Sequence, residues 1–96
     1  MKLRYTRPAL ADLADILDYV GKRSPKGAAK VQSRIKALTE LLIDFPNAGA
    51  PTNDPAIRRL VVTPYSYLIF YEATNEDVII HAVRHGARNP DEMPGA

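Results

Sequence analysis

Residues 64–90 read PYSYLIFYEATNEDVIIHAVRHGARNP, and this stretch decides the fold. Tyr67 to Ala73 is an unbroken run rich in aromatic and branched residues, and Val78 to Val83 is a second. Between them Thr74-Asn75-Glu76-Asp77 supplies the polar residues that close a hairpin. Two nearly continuous apolar strands need cover on at least one face. Just beyond them apolar character stops, and Arg84-His85-Gly86-Ala87-Arg88-Asn89-Pro90 gathers cationic donors.

The upstream residues read as that cover. Ile57 to Thr63 (IRRLVVT) is a third strand, broken by Pro64. Phe45-Pro46 ends a helix, and Asn47 to Ala56, with Gly49, Pro51 and Pro55, reads as a loop. Ser24-Pro25 starts that helix as cap and first residue, and Ala28, Val31, Ile35, Leu38 and Leu42 form its apolar stripe. Lys26, Lys30 and Arg34 form a basic row on another of its faces. Thr6-Arg7-Pro8 starts an earlier helix with a stripe of Ala9, Leu13, Ile16, Leu17 and Val20, and Gly21 is placed to end it. Lys2 to Thr6 alternates weakly, as a short strand does. The expected fold is α+β in the order β-α-α-β-β-β. An antiparallel meander is covered on one face by an antiparallel helix hairpin, and the first strand joins at an edge or beside the last strand.

Ninety-six residues make one domain, spanning 1–96, with Asp91 to Ala96 expected to fray. A chain of this size buries roughly 60–65% of its unfolded surface. The absence of cysteine removes disulfide and thiolate chemistry and suits a reducing cytosol. The opening MKLRYTRPALADL has no signal-peptide core, which with the soluble composition gives a cytoplasmic expectation. Charge is unevenly divided: residues 1–36 hold nine Lys/Arg against three acids, whereas residues 37–96 hold four against eight. A basic half permits contact with nucleic acid or an acidic partner, and equally describes solvated helix faces.

The only histidines, His81 and His85, stand about 13 Å apart on a regular strand, too far to share a metal. No metal or other cofactor is expected. Ser24 is a cap, Ser66 lies in a turn, and the glycines are single, so neither a nucleophile elbow nor a phosphate loop is present. The cations Arg58, Arg59, Arg84, His85 and Arg88 lie on the first and third strands of the meander, placed to meet on one face or at one end of the sheet. Guanidinium forks there would match phosphate or carboxylate. Sheet-edge solubility, or pairing with Glu72, Glu76 or Asp77, accounts for them equally well. Alternation sends Arg58 and Arg59 to opposite faces. Tyr67 and Tyr71 share a face with Ile69 and belong to the core, whereas Tyr65, at the bend, is expected to be the exposed tyrosine.

The chain resembles the ParE/RelE superfamily of small toxins from bacterial type II toxin–antitoxin systems. The matching pieces are the helix pair, Phe45-Pro46-Asn47-Ala48-Gly49, Arg58-Arg59-Leu60, Tyr65-Ser66-Tyr67-Leu68-Ile69-Phe70-Tyr71 and His85-Gly86-Ala87-Arg88-Asn89-Pro90. The resemblance implies a cognate antitoxin that wraps and neutralises the toxin. RelE-like members of the superfamily cut mRNA in the ribosome without a metal. ParE-like members poison DNA gyrase. Leu68 stands where RelE-like toxins place an arginine, and no tyrosine follows Arg88. Both departures favour a ParE-type protein that binds gyrase and is not an enzyme, neutralised by a ParD-like antitoxin. The alternative is a ribosome-dependent endonuclease using the same arginines and His85. The residues expected to carry toxicity are Arg58, Arg59, Tyr65, Arg84, His85 and Arg88. Tyr19, Leu41 and Ile43 are expected to meet the antitoxin.

Overall fold

Two prolines decide where the helices stop. In the computed structural model, which describes residues 1–86, helix α1 spans Arg7–Arg23 and helix α2 spans Pro25–Asp44. Ser24 alone separates them. A residue before proline is pushed out of the helical region, and Ser24 is extended (φ −156°, ψ 102°) in front of Pro25. Its N–H still donates to Val20 O, closing α1, while its Oγ accepts from Gly27 N–H, opening α2. The helix therefore runs through Gly21 and is not ended there; a Cβ at Gly21 would lie 3.7 Å from that of Ala28 on the facing helix. Phe45, at φ −129° before Pro46, ends α2 in the same way, donating its N–H to Leu41 O. At the start of α1 the Thr6 hydroxyl accepts from Ala9 N–H.

The sheet has five strands in the order β1-β5-β4-β3-β2. They are β1 (Lys2–Tyr5), β2 (Ala50–Pro51), β3 (Arg58–Val62), β4 (Tyr67–Ala73) and β5 (Asp77–His85). β3, β4 and β5 form the expected antiparallel meander, and β1 lies parallel to β5 at the sheet's edge. The expected loop over Asn47–Ala56 contains one correction: Ala50 and Pro51 form a short edge strand against Arg59 and Arg58.

The helix-facing core contains Val31, Ile35, Leu38 and Leu42 from α2, Ala9 from α1, and Val62, Ile69, Tyr71, Val78, Ile80 and Val83 from the sheet. On the opposite sheet face Ile57, Phe70 and Ala82 make a smaller buried group, with Leu68 against it. Opposite Phe70 and Tyr71 stand Ala82 and Ile80, so His81 is the extra residue of a bulge. The bulge shifts the alternation by one, which is why Val78, Ile80 and then Val83 all face the helices. Tyr65 departs from expectation: it is half-buried against the main core, in a turn where its N–H donates to Val62 O.

The loop after α2 is fixed by one hydroxyl. Tyr71 is fully buried and donates to Pro46 O at 2.7 Å, while Gly49 N–H donates to it at 2.9 Å. A Cβ on Gly49 would meet the Tyr71 ring at 2.7 Å and Arg59 O at 2.9 Å, so only glycine fits this approach. Burial pushes the Tyr71 hydroxyl above its ordinary pKa of 10.0, against weaker opposing effects of the Gly49 bond and the Arg58 charge.

Tyr71→Phe removes the partner of two loop groups and is expected to cost about 1–3 kcal/mol. In a domain of this size that lowers Tm by at least about 4 °C. The wild type holds this stability in full below pH 10 and loses it as pH rises through the raised pKa, because the folded state keeps the proton longer. Thermal melts from neutral to alkaline pH should therefore show a smaller alkaline loss in the Phe variant; parallel curves would remove the hydroxyl from this role.

Candidate functional site: a cleft at the end of the sheet

β1 covers only the first half of β5, from Asp77 to Ile80. Beyond it, α1 takes over that edge. Thr6 N–H donates to Ile80 O and the Thr6 hydroxyl to His81 O. Six residues beyond Thr6, Asp12 Oδ2 accepts Val83 N–H at 3.1 Å. Its other oxygen, Oδ1, pairs with the Arg84 guanidinium at 2.5 Å, with the two side chains 29% (Arg84) and 17% (Asp12) exposed. A single carboxylate thus satisfies a strand edge and neutralises the arginine beside it.

Above this junction an open cleft of about 460 Å³ lies between α1 and the end of the sheet. Its helix wall is Asp12, Asp15, Ile16 and Tyr19, and its sheet wall is Tyr67, Val83, Arg84 and His85. Tyr67 and His85 are register partners, and their rings meet edge to face at 5.4 Å and 87°. Tyr19 is 59% exposed at the rim, with the Arg23 guanidinium 4.0 Å over its ring. The chemistry on offer is aromatic surface edged by carboxylates. Such a cleft suits an apolar or cationic side chain of a protein partner better than a phosphate.

Among the described residues, Arg58 and Arg59 do not meet Arg84 and His85. Arg58 lies level with Tyr71 and Ile80, whereas Arg84 lies level with Leu68 and Val61. Arg58 and Arg84 therefore stand about 10–13 Å apart along the strands and about 10 Å across them. Arg58 instead donates to Gly49 O at 2.7 Å and holds the loop that Tyr71 holds. Arg59 is exposed, on the face away from the helices. Tyr65 lies beside α2, away from the cleft. Only Arg84 and His85 of the predicted set line the cleft, and Arg88 lies outside the described residues. The predicted partners of the arginines are corrected too: Arg84 pairs with Asp12, Asp77 pairs with Arg4, and Glu72 lies 3.0 Å from His81. Among the described residues no group of three or more His, Cys, Asp or Glu is placed to hold a metal. Of the residues proposed for the antitoxin, Tyr19 and Leu41 are exposed, whereas Ile43 is half-buried.

Nothing in the sequence marks Asp12, Asp15 and Ile16 as residues of the cleft. An aspartate in an amphipathic helix carries no mark of the strand edge it will meet.

Comparison with known proteins agrees with the fold. Residues 3–90 match the family described as ParE toxin of type II toxin-antitoxin system, parDE. Toxin RelE2 of Caulobacter vibrioides is 38% identical over 84 residues, covering 88% of this chain and 93% of the relative. Toxin ParE2 of Mycobacterium tuberculosis is 30% identical over 93 residues, covering 96% and 88%. A solved structure described as the chromosomal ParDE TA system from P. aeruginosa superimposes with a TM-score of 0.77 at 25% identity, covering 88% of this chain and 95% of that one.

Asp12→Ala is expected to cost about 1–3 kcal/mol, since Val83 N–H and Arg84 both lose their partner. Asp12→Asn keeps an acceptor for Val83 and should cost less. Urea unfolding of the two variants measures the difference, and equal losses would mean that the strand-edge bond carries no weight of its own.

Proposed function

The chain belongs to the ParE toxin family of type II toxin–antitoxin systems, and from that premise we propose that it inhibits DNA gyrase by binding, without cleaving nucleic acid itself. The observation that carries this reading is the pairing of Arg84 with Asp12. Phosphodiester cleavage needs uncompensated positive charge beside a proton donor or acceptor. Among the described residues the arginine that lines the cleft, Arg84, is already paired with Asp12, and its register partner Leu68 packs with Phe70 and Ala82 on the other face of the sheet. What remains is shape and aromatic surface, suited to recognising a protein. Gyrase poisoning then follows from tighter binding to a DNA-cleaved state of the enzyme than to its other states.

The proposed antagonist is a ParD-like antitoxin. Leu41 and Phe45 are exposed one helical turn apart at the end of α2, and Leu10 and Tyr19 are exposed on α1. Large apolar side chains left on helix faces are the anchors that an amphipathic partner segment covers.

Purified toxin incubated with gyrase and plasmid should accumulate cleaved DNA, and antitoxin should abolish this. Unchanged supercoiling and cleavage at excess toxin, with codon-phased mRNA cuts in a translating-ribosome assay, would overturn the reading in favour of a RelE-like endonuclease. Tyr19→Ala combined with Leu41→Ala should weaken antitoxin binding tenfold or more, about 1.4 kcal/mol, as read by titration calorimetry.

A further inference from the structure

One strongly charged surface has no part in the cleft. Lys26, Lys30 and Arg34 recur every fourth residue of α2 and are all exposed. They stand in a row on one face, each about 6 Å further along the axis. Among the described residues none of the three takes part in an ion pair. Arg34 donates Nε to Thr63 O at 2.7 Å and a second nitrogen to Thr63 Oγ1 at 3.5 Å. These are neutral acceptors, so they orient the guanidinium without cancelling its charge. The row starts in the first turn of α2, at the positive end of the helix. The neighbouring cations at the end of α1 are engaged, Lys22 with Asp18 and Arg23 with Tyr19. Beside the row lies a shallow cleft of about 520 Å³, with Lys30, Ser33 and Arg34 on one side and Pro64 and Tyr65 on the other.

We propose that this face of α2 binds the phosphate backbone of duplex DNA, without reading its sequence. An acidic peptide is the competing occupant, but peptide binding draws its affinity from large apolar anchors. The large exposed apolar residues are Met1, Leu10, Tyr19, Leu41, Phe45 and Val61, and none lines this cleft. Single-stranded nucleic acid needs stacking platforms, and here one half-buried tyrosine is available. Duplex DNA needs neither. It presents a rigid ridge of phosphates, one charge per about 1.7 Å of axis, and a rigid row of cations about 12 Å long meets it by releasing counterions. Backbone contact of this kind positions a protein on DNA and carries no base recognition. The proposal stands apart from the choice of cellular target.

The test is fluorescence anisotropy of a labelled duplex titrated with the full chain, without antitoxin, across a range of salt. Three phosphate contacts predict a slope of log K against log salt of about −2.7. Lys26→Gln with Lys30→Gln should reduce the slope by about 2 and weaken binding equally for unrelated sequences. Among the described residues neither lysine makes an ion pair, so circular dichroism should be unchanged. Undetectable duplex binding at low salt, or binding that the double variant leaves intact, would overturn the proposal. Preference for a single strand or a polyglutamate peptide over duplex would overturn it equally.

Discussion

The half-covered edge of β5 is the constraint on which the rest of the molecule depends. A strand edge in the body of a domain needs partners for its backbone groups. β1 provides them only as far as Ile80, and then the chain turns into α1. Thr6 and Asp12 finish the work from the helix. Because these bonds come from one rigid helix, they fix the height and tilt of α1 against the sheet. The single residue between α1 and α2 passes that placement to the whole hairpin. The cleft is the space left above the junction, so its shape is set by a backbone requirement and not by a ligand.

The elements themselves were legible in the sequence because their signals are local. Pro25 and Pro46 fix helix ends, and the apolar runs of β4 and β5 admit one pairing. Gly21 misleads because glycine favours but does not force a helix end, whereas the residue before proline has little choice. The site was less legible. Whether Arg58 meets Arg84 depends on register, and the register includes a bulge at His81 that no local pattern announces. Asp12 acquires its role only through contact with a strand 71 residues away in the chain. The place of Tyr65 at a bend suggests solvent, but the turn folds its ring back onto the core.

Several residues of the motifs that carry the family resemblance prove to have structural work. The loop Pro46 to Gly49 and Arg58 are among the pieces that carry that resemblance. In space they are a latch around the Tyr71 hydroxyl, with Arg58 holding Gly49 O from the other side. An exposed positive charge is a poor stabiliser on its own, but a guanidinium bonded to a carbonyl in a half-buried loop adds a bond of about 1.5–3 kcal/mol. In a domain this small, where total stability is only about 5–15 kcal/mol, such a bond is reason enough for the arginine.

The distribution of charge separates two kinds of surface. Among the described residues of the cleft Arg84 is paired with Asp12, and the walls are completed by Asp15 and the rings of Tyr19 and Tyr67. Among the described residues Lys26, Lys30 and Arg34 of α2 make no ion pair, and no large exposed apolar side chain lines the shallow cleft beside them. A nuclease would need these properties combined: free positive charge within bonding distance of a group that moves a proton. The binding mechanism proposed above needs no such convergence. It needs surfaces rigid enough that binding energy is not lost to reordering, and the strand edge bonded to Asp12 and the loop latched to Tyr71 supply that rigidity.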